Sequence, residues 1–97
     1  MIAPILHPRA EEEMNEAAQF YESRVARLGH DFLDEYARCV ERIVAHPETG
    51  QSCYGRFRRM VMARFPFSVV YEILPDAISL LAVAHQRRSP GYWRKRA

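Results

Sequence analysis

An α+β fold of order β-α-α-β-β-β, a helical hairpin on a small, mainly antiparallel sheet, is predicted by three features of the sequence. Apolar residues recur at three-and-four spacing from Ala10 to Val44, as amphipathic helices require. After Gly55 the period drops to two, as in half-exposed strands. Prolines and glycines punctuate the chain where these patterns stop. At 97 residues the chain makes one domain, 1–97.

Ile2 to Leu6 reads as a short strand in which Pro4 occupies a position needing no ladder donor. Pro8 begins the first helix. Ala10, Met14, Ala17, Tyr21, Val25 and Leu28 form its inner stripe, Glu11, Glu12 and Glu13 complement the dipole, and Gly29 ends it. Asp31 is the expected N-cap of a second helix whose stripe is Phe32, Tyr36, Cys39, Val40, Ile43 and Val44, closed by Pro47. A connection of about two residues makes the helices antiparallel.

Residues 47–52 read as a loop by composition. From Gly55, Phe57, Val61, Ala63 and Phe65 form the inner side of a strand, against Arg56, Arg58, Met60, Met62 and Arg64, with Arg59 out of place. Phe65-Pro66 breaks it. Phe67–Leu74 is apolar on both faces and therefore central, and after Pro75-Asp76 a third strand runs from Ile78 to His85.

The charge is polarised. Residues 1–53 carry five basic and ten acidic groups, net −5, whereas residues 54–97 carry nine basic and two acidic groups, net +7. Such a field speeds encounter with polyanions or acidic peptides. Its densest part is the tail from His85 to Ala97, which holds the only Trp with Arg87, Arg88, Tyr92, Arg94, Lys95 and Arg96. These groups suit phosphate, bases or an acidic protein partner.

Several function classes fall away. No stretch of about 18 apolar residues exists to span a membrane. The N-terminus lacks the basic and apolar regions of a signal peptide, so a cytoplasmic protein is expected. Cys39 and Cys53 stand at no metal spacing and fit structural thiols. No Gly-rich phosphate loop is present and the four histidines are scattered singly, so neither metal nor cofactor is expected. His7, His30 and His46 lie at helix boundaries and read as scaffolding. His85 can be a satisfied edge histidine or, with Arg and Tyr, one of the groups that metal-free RNA cleavage needs. The same Arg and aromatic residues also suit gripping a partner, and Trp93 suits covering a core edge.

Taken in order, these residues resemble the ParE/RelE superfamily of toxins from bacterial type II toxin–antitoxin modules, and most of all its ParE-type plasmid-stabilisation branch. The likeness spans nearly the whole chain. It rests on His7-Pro8 with Ala10, Leu28-Gly29-x-x-Phe32, Ile43 with Pro47, Arg58-Arg59, and Phe65-Pro66-Phe67 leading to Val70-Tyr71. The ending His85-x-Arg87-Arg88-x-Pro90-x-Tyr92-Trp93-x-x-Arg96 completes it. The resemblance implies the same β-α-α-β-β-β fold, a cognate antitoxin that wraps the basic half, and cytoplasmic action.

It also implies one of two targets. ParE-like members poison DNA gyrase, with Arg58, Arg59, His85, Arg87, Arg88, Tyr92, Trp93 and Arg96 as the contact residues here. RelE-like members cut mRNA in the ribosomal A site, for which Arg59, Arg87 and Tyr92 are the candidate catalytic residues. Those nucleases carry an Arg early in the second meander strand, where this chain has Ser68, with Arg64 nearby as a substitute. The departure favours a gyrase inhibitor that is not itself an enzyme; a non-toxic, antitoxin-binding member is a third reading.

Overall fold

Pro8 decides where the first helix begins. It has no amide proton to leave unpaired and its fixed φ suits the first helical position, and the preceding His7 caps the turn by accepting the Arg9 N–H on Nδ1 at 3.0 Å. In the computed structural model, which describes residues 3–97, this helix, α1, spans Pro8–Arg24. A second helix, α2, spans Leu28–Ala45. The strands are β1 (Ala3–Leu6), β2 (Gln51–Cys53), β3 (Phe57–Val61), β4 (Phe67–Ile73) and β5 (Ala77–His85).

They form one sheet of order β1-β5-β4-β3-β2, with β1 parallel to β5 and every other pair antiparallel. The predicted fold class holds, and β4 is central as expected. Ile2, the expected start of the first strand, lies outside the described residues. The segment read as a loop contains a 3-10 turn, Pro47–Thr49, and the edge strand β2. Three residues are too few to show a period, so β2 left no pattern to read.

The hairpin corner also differs from expectation. Gly29 does not end α1 and Asp31 does not cap α2. Instead Arg27 takes a left-handed φ of 73° between the helices, and the Glu22 carboxylate accepts the N–H groups of Arg27 (2.9 Å) and Gly29 (3.0 Å). A side chain near the end of α1 thus supplies the acceptors for orphan N–H donors at the start of α2. Val25 and Leu28 leave the stripe of α1: Val25 is an exposed cap and Leu28 opens α2, which also takes in His30. Gly29 has a different task, because a Cβ there would stand 2.5 Å from the Ala18 carbonyl oxygen. It lets the helices approach.

Both sheet faces are covered. On the helix side, Phe32, Cys39 and Ile43 of α2 pack on Val69, Tyr71, Ile78 and Val83, with Tyr21, Phe65 and Phe67 forming an aromatic cluster around Phe32. Tyr71 donates its hydroxyl proton to the Pro47 carbonyl and accepts the Gly50 N–H at 3.1 Å, fixing the entry to β2. On the other side Phe57, Val70, Leu81 and Ala82 form a second cluster closed by Trp93. The strand ends at Val61 instead of running on to Phe65, and the side assignment departs from the sequence reading, although Phe57 and Phe65 are both buried as read. Met60 and Met62 face the helices, Phe57 faces Trp93, and Val61 and Ala63 are exposed. Alternation alone gives a period, not a direction, when two apolar faces exist.

Gly29→Ala is expected to push the helices apart and to destabilise the chain by about 1–3 kcal/mol; a lowered thermal midpoint in circular dichroism checks this.

Candidate functional site

The site grows from an edge that one strand leaves half covered. β1 pairs with β5 only from Ala77 to Leu80, and the His7 N–H donated to Leu80 O at 3.0 Å is its last rung before the chain turns into α1. Next along this edge come the carbonyl of Leu81 and the amide of Val83. Buried backbone groups need partners, and two side chains provide them: Glu13 Oε1 accepts the Val83 N–H (3.0 Å) and Arg96 Nη1 donates to Leu81 O (3.0 Å).

Glu13 and Arg96 also bond each other in bidentate fashion, Nη1 to Oε1 at 2.9 Å and Nη2 to Oε2 at 3.0 Å, with side chains only 13 % and 12 % exposed. Tyr92 donates its hydroxyl proton to Oε2 at 2.6 Å. One carboxylate therefore joins α1, the β5 edge and the C-terminal segment. Burial opposes its charge, but the bonds from Arg96, Tyr92 and the Val83 amide outweigh that and hold its carboxyl below the usual range. Burial first, and the donated bond to Glu13 second, push the Tyr92 phenol well above its ordinary value. It keeps its proton and stays a donor.

A bulge in β5 shapes the opposite face. Val70 pairs with Ala82 and Tyr71 with Leu80, so Leu81 is the extra residue, and Leu81 and Ala82 both join the Trp93 cluster. The tail reaches that cluster through Gly91, whose φ of 79° favours glycine, and through a 3-10 turn, Arg94–Arg96. Trp93, 4 % exposed, meets Phe57 edge-on at 5.0 Å and Tyr54 at 5.8 Å. Between tail and sheet lies a cleft of about 120 Å³ whose walls include Arg59, Ser68, His85, Arg88, Tyr92 and Trp93.

The eight predicted contact residues divide. Arg59, His85, Arg88, Tyr92 and Trp93 line the cleft. Arg59 is exposed and steered by Gln51 Oε1, 3.2 Å from both its Nε and Nη2, while the Arg88 guanidinium lies 3.9 Å from the Tyr92 ring centroid. His85 packs on Phe67 at 5.0 Å and accepts the Arg87 N–H on Nδ1 at 3.0 Å, which leaves Nε2 to carry the ring proton. Arg58 turns to the helix side and donates to the carbonyls of Glu48 and Gly50. Arg87 is exposed on the turn, and Arg96 is committed to Glu13. Arg64 pairs with Asp31 at 3.6 Å and lies over Phe65, away from the cleft walls. Ser68 does stand on the cleft.

Sequence reasoning missed Glu13 and Tyr54. Tyr54 gave no periodic signal. Glu13 did: it lies three residues after Ala10 and four before Ala17, both buried, which places a carboxylate beside the inner stripe. No three His, Cys, Asp or Glu side chains among the described residues converge into a metal-ligand set. Among those residues, no helix is long and apolar enough to cross a membrane.

The family model for the ParE toxin of type II toxin–antitoxin systems, parDE, matches residues 5–90. The chain belongs to this family. A solved structure described as the chromosomal ParDE TA system from P. aeruginosa shares the ParE fold at a TM-score of 0.78. It is 15 % identical, and the match covers 88 % of this chain and 96 % of that one. No curated protein sequence matches the chain. The ParE family match stops at residue 90, so the docking of Tyr92, Trp93 and Arg96 is read from the structure alone.

A carboxyl held below its ordinary 4.5 stabilises the fold fully above that pH and loses its contribution as pH falls through the folded value. Glu13→Gln is expected to cost about 2–4 kcal/mol at neutral pH. The difference from wild type should shrink below pH 4.5, as read by urea unfolding through Trp93 fluorescence.

Proposed function

We propose that this chain is a ParE-type toxin that acts in the cytoplasm by engaging DNA gyrase, without catalysing a reaction of its own, and is neutralised by a cognate antitoxin. The observation that carries the reading is the state of the Tyr92 hydroxyl. It is bound to Glu13 and keeps its proton, so it is not free to serve as an acid or base in the cleft. Of the three residues a nuclease would use, Arg87 does not line the cleft, and Ser68 stands where another cation would be required. Losing one charge-stabilising donor removes about 3–4 kcal/mol from such a reaction.

What remains is a gripping surface. Arg59, Arg87 and Arg88 are exposed cations beside a rigid aromatic wall, the kind of residues that anchor interfaces. Arg58, Trp93 and Arg96 support that surface from within the fold. The antitoxin partner is supported by family membership and by the toxin–antitoxin system named for the solved relative. An acidic antitoxin segment neutralises the toxin by covering Arg87, Arg88 and Tyr92, opposite in sign to the +7 half that carries them.

A supercoiling and cleavage assay with purified gyrase tests the reading. Lost supercoiling and protease-released linear DNA are expected, with Arg59→Ala plus Arg88→Ala weakening inhibition at least tenfold, about 1.4 kcal/mol. Unaffected gyrase, together with A-site mRNA cleavage on ribosomes, would contradict it.

A further inference from the structure

We infer that Glu13, which lies outside the contact surface, is its positioning residue, acting through Tyr92 and Arg96 to hold the Arg88 guanidinium over the cleft. The inference rests on the gripping surface proposed above and names what sets its geometry. Arg88 makes no ion pair among the described residues. Its N–H bonds His85 O at 3.0 Å, which fixes the backbone, and its guanidinium is seated on the Tyr92 ring at 3.9 Å. A flexible side chain is thereby held at one place.

The ring is itself held by Glu13. The hydroxyl bond to Oε2 fixes the far end of Tyr92, and Arg96, 5.0 Å from the same ring centroid, is fixed by the other bonds to the same carboxylate. A phenol donating to a carboxylate gains electron density in its ring, which strengthens its attraction for a cation. Replacing the carboxylate by an amide removes the charge-assisted strength of the Tyr92 bond and the bidentate grip on Arg96, which loosens the ring and weakens the seat of Arg88 together. In a variant that still folds, Trp93 keeps its own contacts with Phe57 and Tyr54, neither of which touches this carboxylate.

The first readout is the Arg88 Nε–H resonance in nitrogen-correlated NMR, which the Tyr92 ring current displaces upfield. Glu13→Gln is expected to return it to the position of an exposed arginine, while Glu12→Gln, at an exposed neighbour, leaves it in place. Tyr92→Phe keeps the ring and cuts its link to Glu13, so it also shifts the signal, and it decides the matter should Glu13→Gln not fold. The second readout is gyrase inhibition. Glu13→Gln is expected to raise the inhibitory concentration at least tenfold in the wild-type background and less than twofold beside Arg88→Ala, since a residue acting through Arg88 has nothing left to position. An unmoved Arg88 resonance in a folded variant, or equal losses in both backgrounds, would overturn the inference. Gyrase indifferent to the wild type would sink the gyrase reading alone, and the resonance would still decide the positioning.

Discussion

A β-strand edge cannot be buried with its backbone groups unpaired, and the second half of β5 is such an edge. β1 stops pairing at Leu80 because Pro8 must start a helix, so the carbonyl of Leu81 and the amide of Val83 are left to side chains. An unpartnered buried group costs about 1–3 kcal/mol, and a bare charge costs more. The chain meets both demands with one pair, Glu13 and Arg96, drawn from α1 and from the second-last residue. That choice brings the C-terminus back across the sheet. Trp93 is then placed to close the second apolar face, and Tyr92 to complete the carboxylate's bonds.

The charge distribution of the ParE-family chain follows from the same return. The half that carries the excess of basic residues forms β3, β4, β5 and the returning tail, and four of its eight arginines are engaged within the fold before any partner arrives. Arg56 pairs with Glu72 at 2.7 Å, Arg58 holds the turn before β2, Arg64 pairs with Asp31, and Arg96 locks Glu13. Exposed pairs of this kind contribute little to stability, whereas the shielded Arg96 pair has low screening and several bonds. Of the other cations, Arg59, Arg87 and Arg88 lie on or beside one cleft, while Arg94 donates to Gly91 O and lies over the Tyr54 ring, and Lys95 is exposed. Net charge overstates the free charge, and the location of the remainder is what gives the surface direction.

How much of this was legible depended on periodicity. The helix stripes through Phe32, Cys39 and Ile43, the central β4 and the closing role of Trp93 follow from spacing and composition. What periodicity could not encode was direction and partnership. The β3 alternation gave the period but not which face met the helices, because Phe57 and Met60 both have apolar cores to enter. Gly29 looked like a helix stop, since sequence alone does not separate a glycine needed for φ from one needed for close approach. Glu13 looked like a first-turn acid. Yet Glu35 repeats its pattern, three residues after buried Phe32 and four before buried Cys39, and it accepts the N–H groups of Ala63 and Arg64 at 2.9 and 3.2 Å. A carboxylate beside an inner helix stripe caps backbone in both places, the β5 edge for Glu13 and the β3–β4 turn for Glu35, and this is the sequence signal that was available.

The edge itself is the place to test the account. Native-state hydrogen exchange of the Val83 amide measures whether Glu13 closes it. Val83 is expected to exchange as slowly as the amides of central β4, through global unfolding only. Exchange at the rate of the exposed strand β2, in the intact chain at neutral pH, would mean that the carboxylate does not hold the edge, and the docking of the tail would need another cause.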